Sequence, residues 1–168
     1  MECVSITYSI KNLNVLVIEQ KTLVLKLLTD AFDEFGMPTV QSASDIESAW
    51  KYFLENPYDI ILSDWGHGLD GLEILRKIRQ SPDSPDPSIP IIFVSANTQQ
   101  RQVCEARDMG TTEFLAKPPS SLLLYRRILS VLEQDRAFIR TAEYTGPDRR
   151  RQQIKFTHKD RRKSSAGR

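Results

Sequence analysis

Cysteine is scarce in this chain: Cys3 and Cys104 are the only two in 168 residues, and they lie far apart. That excludes a disulfide framework and a cysteine-based metal site, and it fits a reducing compartment. Long apolar runs are also missing; every stretch is strand-sized or broken by charge, so no membrane span is expected. Residues 1–9 hold an acidic residue and no basic one, unlike the charged start of a secretory signal. A cytoplasmic protein is therefore expected. There is no glycine-rich phosphate loop. His67 has no neighbours at metal-ligand spacing and reads as a solvated loop residue.

What is present is enough apolar residue for a core, 40% of the chain, over a length that holds one domain and an appendage. The net charge of +1 conceals an asymmetry: residues 141–168 carry nine Lys/Arg against three Asp/Glu, leaving residues 1–140 acidic. An acidic body with a basic tail predicts that the tail seeks an anion.

Residues 14–18 (NVLVI) form a continuous β-branched run, as in a strand buried on both faces. Helical spacing over 21–35 stops at Gly36. A short strand at 39–42 precedes Ser44-Asp45-Ile46-Glu47, a capping box in which Ser44 caps a helix running to about 56. Strand 59–62 ends at Ser63-Asp64; a helix is predicted over 69–79, and four prolines mark 81–90 as a loop. Strand 91–94, a helix over 98–108 closed by Gly110, strand 113–116, and a helix from 122 to about 136 capped by Ser120 or Ser121 complete the series. Five strand–helix alternations with short connections predict a doubly wound parallel five-stranded (βα)5 sheet, and functional groups gather at the carboxyl ends of such strands. Those ends hold Glu19, Gln20, Asp64, Ser95 and Lys117.

The runs VLVIEQ, DIILSDWGHGLDGLEILRKIR, IPIIFVSA and EFLAKPP resemble the receiver domain of bacterial response regulators, the CheY-like family, over a domain spanning residues 12–136. The resemblance implies that Asp64 is the phosphoacceptor, a carboxylate nucleophile served by a divalent cation. It implies that Lys117 pairs with the acyl phosphate, that the Ser95 hydroxyl follows the phosphoryl group, and that Phe114 is the aromatic coupled to that movement. The Lys117–Pro118 bond is expected to be cis. In the family, the partner surface usually spans the fourth helix, fifth strand and fifth helix. Two departures weaken the implied metal site. Where the family offers an acidic pair, this chain has Glu19-Gln20; a neutral amide replaces one anionic ligand of a cation that prefers carboxylate oxygen. The loop from Asp64 to Gly71 is one residue short and rich in glycine. Glu19 and Asp64 remain as a weak Mg2+ site, and impaired phosphorylation is expected.

Beyond Arg140 the apolar periodicity ends, and no further core element is expected. The segment 141–168 carries an internal repeat twelve positions apart: Thr145-Gly146-Pro147-Asp148-Arg149-Arg150-Arg151 against Thr157-His158-Lys159-Asp160-Arg161-Arg162-Lys163. For phosphate alone an aspartate beside arginine is a handicap; for guanine it is useful. An Arg fork matches N7 and O6, a carboxylate accepts from N1–H and N2–H, and guanidinium planes stack on bases. Two Asp-Arg-Arg units suit a ligand with repeated guanines and phosphates, such as cyclic di-GMP. Joined to a receiver body, the segment is similar to the tail of the Cle group of CheY-like cyclic di-GMP effectors. That implies a messenger-controlled adaptor acting on the flagellar motor switch to control motility and surface attachment. Asp148, Arg149, Arg150, Arg151, Asp160, Arg161, Arg162 and Lys163 are then the ligand-binding residues, in a tail disordered until ligand binds. Ile154 and Phe156, between the repeats, would dock or stack as the tail orders.

Two other readings stay open. One is a phosphorylation-dependent single-domain response regulator with the tail as an extension. The other is a nucleic-acid-binding tail, against which the paired aspartates argue. No enzyme activity is expected, because the strand-end pocket offers no general acid–base pair beyond self-phosphorylation chemistry.

Overall fold

The computed structural model describes residues 10–37, 39–66, 69–96, 99–133, 136–141 and 143–149. Strands β1 (Asn14–Ile18), β2 (Thr39–Ala43), β3 (Ile60–Asp64), β4 (Ile91–Ser95) and β5 (Glu113–Ala116) form one parallel sheet in the order β2-β1-β3-β4-β5. Helices α1 (Thr22–Glu34), α2 (Ile46–Glu55), α3 (Gly71–Gln80), α4 (Gln100–Asp108) and α5 (Ser121–Glu133) alternate with them. The doubly wound expectation holds for the body.

Strand periodicity divides each apolar run between two cores. Val15 and Val17 face one side of β1, packing in a cluster with Leu28, Phe32, Leu124 and Ile128 of α1 and α5. Leu16 and Ile18 face the other, clustered with Phe53, Ile74, Leu75 and Ile78 of α2 and α3. Both faces of the sheet are thus covered, which is why β1, β3 and β4 carry no polar alternation.

Three local details set the geometry. The capping box at Ser44 is corrected: Asp45 is the cap, its carboxylate accepting from the Ser48 amide at 2.7 Å and the Ser48 hydroxyl at 2.8 Å. A carboxylate one residue closer to the helix reaches the free amide directly, and those bonds, the amide's first, hold the Asp45 carboxyl below its ordinary range. Asp70 caps α3 through the Leu72 amide at 3.0 Å, so that helix starts at Gly71 rather than at Leu69. Gly71 itself admits no side chain, since a Cβ there would lie 2.6 Å from the Asp64 carbonyl oxygen. The close approach packs the start of α3 against the end of β3.

The expectation that nothing after Arg140 joins the folded body is also corrected. α5 ends at Glu133, and the chain forms an antiparallel hairpin, β6 (Phe138–Arg140) with β7 (Thr145–Pro147). Tyr144 is buried, and its hydroxyl donates to the Pro147 carbonyl at 2.6 Å. The hairpin seats against Gly110, which adopts φ +97°; a Cβ there would strike the Thr145 carbonyl. Helical or strand periodicity over so short a segment gives no signal of this seat.

Arg79 of α3 fastens the seat from below. Its guanidinium is 1% exposed, donating from Nε to the Gly110 carbonyl at 3.1 Å and from Nη1 to the Pro87 and Ile89 carbonyls at 2.6 and 2.8 Å. It also lies 5.6 Å from the centroid of the Phe138 ring. Burial pushes the guanidinium down to about 10, so it stays charged at neutral pH with carbonyl dipoles in place of water. Arg79→Met removes three charge-assisted bonds and leaves buried carbonyls unmatched, and is expected to cost about 2–3 kcal/mol in urea unfolding. The β6 and β7 amides should lose hydrogen-exchange protection in that variant; parent-like stability and protection would contradict this role.

Candidate functional site

Four strand ends converge at the carboxyl edge of the sheet. Glu19 follows β1, and its backbone N–H donates to the Ala43 carbonyl at 3.0 Å. Asp64 is the last residue of β3, Ser95 the last of β4, and Lys117 follows β5 with its amide on the Ser95 carbonyl at 2.9 Å. The Lys117–Pro118 peptide is cis.

The Lys117 ammonium lies between two carboxylates. It donates to Asp64 Oδ1 at 2.6 Å and to Glu19 Oε2 at short range. Glu19 and Asp64 are 2% and 7% exposed, so these charges are largely removed from water, and the single ammonium offsets their mutual repulsion. The second Glu19 oxygen is also engaged, accepting from the Lys21 amide at 2.9 Å. Gln20 is exposed at the rim. Gly66 places its backbone beside the Asp64 carboxylate, where a Cβ would sit 3.4 Å from Oδ1.

Beneath Asp64 lies an aromatic cluster. The Trp65 ring is tilted against Phe93 with centroids 5.6 Å apart and meets the half-buried Phe114 edge-on at 6.2 Å. The Ser95 hydroxyl donates to the Trp65 carbonyl. Trp65 is the residue that the sequence reading did not single out. It couples the Asp64 strand end to both Ser95 and Phe114, and its position directly after the strand-end aspartate was the available signal.

Glu19, Asp64, Ser95 and Lys117 are therefore brought together, with Phe114 one ring behind them. The donor set fits a divalent cation poorly. Both Glu19 oxygens are occupied, one Asp64 oxygen holds Lys117, and the amide of Gln20 adds no charge. Among the described residues no group of three or more His, Cys, Asp or Glu could hold a metal ion. His67 lies outside the described residues.

Of the predicted ligand-binding residues of the tail, Asp148 and Arg149 are described; Arg150, Arg151, Asp160, Arg161, Arg162 and Lys163 lie outside the described residues, as do Ile154 and Phe156. The Asp148 amide donates to the Ala137 carbonyl at 2.8 Å, extending the hairpin. Arg149 reaches Asp108 at the end of α4, with Nη1 3.2 Å from Oδ1, and its guanidinium lies 4.2 Å from the centroid of the Tyr144 ring. This end of the molecule is the amino edge of β4 and β5, opposite the Asp64 pocket.

The structure is thus a parallel five-stranded α/β fold that gathers an aspartate, a glutamate and a lysine at its strand ends. A family model for the response regulator receiver domain matches residues 15–129, and the chain belongs to that family. The chain is similar to chemotaxis protein CheY-3 of Vibrio cholerae, 22% identical over 125 residues that cover 74% of this chain and 95% of that protein. A probable chemotaxis protein CheY of Rhizobium etli is 28% identical over 109 residues, covering 64% of this chain and 83% of its own. Among solved structures, the receiver domain of the Francisella response regulator 1452 superposes with a TM-score of 0.64 at 27% identity, covering 71% of this chain and 96% of that one. The chemotaxis response regulator CheY4 of Vibrio cholerae gives 0.63 at 21% identity, covering 71% and 98%. No helix of the described residues is long and apolar enough to cross a membrane.

Removing Lys117 strands two buried carboxylates side by side. Lys117→Met is expected to destabilise the fold by about 3–5 kcal/mol at neutral pH, the range for breaking one partner of a buried ion pair. Adding Asp64→Asn to that variant should recover part of the loss in the same urea titration, because only one buried negative charge then remains. Equal stability of single variant and parent would rule out the neutralising role.

Proposed function

We propose that this receiver domain is a messenger-controlled adaptor: cyclic di-GMP binds the arginine-rich tail and changes the face the body offers to a protein partner. The observation that carries the reading is the duplicated unit Asp148-Arg149-Arg150 and Asp160-Arg161-Arg162, whose carboxylate–guanidinium pairs match guanine edges rather than bare phosphate. Support comes from the seat of the first unit: Asp148 and Arg149 leave β7 directly beside α4 and β5. A ligand at that unit would touch the surface through which receiver domains usually meet partners. The chemotaxis names of the relatives fit a partner of the flagellar motor-switch kind. On this reading the chain carries a signal and catalyses nothing.

Titration calorimetry on the full chain should show binding of cyclic di-GMP, with cyclic di-AMP failing to compete. Arg161→Ala and Asp160→Ala should each weaken binding at least about tenfold, the scale of one bidentate base contact. Equal affinity for the two dinucleotides would overturn the reading. The hairpin dictates the truncation control: the chain is cut after Arg149, since a cut after Arg140 would strip β6 of its partner and open the Arg79 seat.

A second reading, phosphorylation at Asp64, draws on the 2.6 Å contact between Lys117 and the strand-end carboxylate. It places the chain among conventional response regulators, with the tail as an extension. Acetyl phosphate at millimolar Mg2+ separates the two. Poor labelling of the parent with a gain of at least about tenfold in Gln20→Asp supports an impaired pocket missing one anionic ligand. Robust labelling of the parent favours the second reading.

A further inference from the structure

The two halves of the tail repeat share more than Thr-x-x-Asp-Arg-Arg. Tyr144 stands five residues before Arg149, and Phe156 stands five residues before Arg161. The structure gives that spacing a purpose in the first unit. The Arg149 guanidinium lies over the Tyr144 ring, 4.2 Å from its centroid. The ring cannot swing away, because Tyr144 is buried and its hydroxyl is bonded to the Pro147 carbonyl. On its N–H edge, Arg149 is held by Asp108, whose Oδ1 also accepts from Arg107 at 3.0 and 3.1 Å.

A guanidinium fixed on one face by an aromatic ring and on one edge by a carboxylate has one planar face left. The Arg149 side chain is 46% exposed, and the residue lines a cleft of about 240 Å3 between the hairpin end, α4 and the start of β5. Asp148 lines the same cleft, as do Arg107 and Arg136. We infer that the open face of Arg149 is the stacking platform for a guanine base, and that Asp108 and Tyr144 are its positioning residues. The inference rests on the guanine-nucleotide reading of the tail. It assigns to Arg149 stacking, since Tyr144 covers one face of the guanidinium and Asp108 holds it at Nη1, which leaves the opposite face for a base. It also places part of the ligand site in the body: Asp108 belongs to α4, not to the tail.

The chemistry favours this division of labour. An arginine side chain free in solution loses considerable rotamer freedom on binding, and here the ring and the carboxylate have already restricted it. A purine has a π-face that a guanidinium plane can cover, giving a ring–guanidinium–base stack in which the cation is shared by two aromatic faces. Asp148, next along the chain, lines the same cleft.

The test is calorimetry with cyclic di-GMP on the full chain and three variants. Arg149→Lys keeps the charge and removes the plane, and is expected to weaken binding at least about tenfold, the scale of one base stack. Asp108→Asn should weaken it about threefold while the unfolding transition stays put, as suits a half-exposed acceptor of charged bonds. Tyr144→Phe keeps the ring but releases it from the Pro147 carbonyl, and should weaken binding about threefold, the smaller loss that suits a positioning residue. In nitrogen-15 spectra of the parent, the Arg149 Nε–H resonance should move upfield as ligand is added, a ring-current shift that a purely structural role would not produce. Parent-like affinity in both Arg149→Lys and Asp108→Asn overturns this inference while leaving the tail reading intact. A parent chain that takes up no cyclic di-GMP overturns both.

Discussion

One half-buried cation, the ammonium of Lys117, holds the carboxyl edge of the sheet together. Glu19 and Asp64 come from strands that are neighbours in the sheet, and both are almost entirely out of water. Two such carboxylates repel each other and are poorly solvated, and the ammonium between them offsets that cost. Lys117 arrives from β5, two strands away from β3, so the contact ties β1, β3 and β5 into one electrostatic unit. The ammonium engages one oxygen of each carboxylate.

The other end of β4 and β5 is organised by a second cation, fully buried and with different partners. Arg79 is surrounded by carbonyl oxygens rather than carboxylates, and it joins α3, the loop before β4, the turn before β5 and the ring of Phe138. The hairpin laid over that seat carries the first Asp-Arg unit to the end of α4. A receiver body with this arrangement has two polar centres at opposite ends of the same strands, one inherited with the fold and one brought by the appended segment.

The fold was legible because its signals are redundant. Continuous apolar strands, alternating amphipathic helices and Gly110 after α4 all point to one topology, and an error in any single boundary leaves that topology standing. Most of the pocket was legible for a related reason: a parallel sheet delivers every strand end to one edge, so Asp64, Ser95 and Lys117 could be placed together from strand positions alone. Trp65 was not singled out, because an aromatic in a glycine-rich loop reads equally well as a packing residue. Its part in the pocket depends on where Phe93, Ser95 and Phe114 stand around it. The cap of α2 was misplaced by one residue because Ser44 and Asp45 are both good caps; backbone direction at the helix start chose between them.

By itself, the sequence determined the alternation of strands and helices, the strand-end residues, the Gln20 substitution and the twelve-residue repeat. All of these are local patterns, set by periodicity and residue chemistry along the chain. Tertiary structure alone decided that Lys117 closes on both carboxylates, that residues after Arg140 return to the body, and that Arg149 rests between Tyr144 and an aspartate of α4. The physical reason is that each of these contacts is bought with the packing of distant segments, and the spacing of residues along a chain carries no record of which distant partner a buried charge or ring will find.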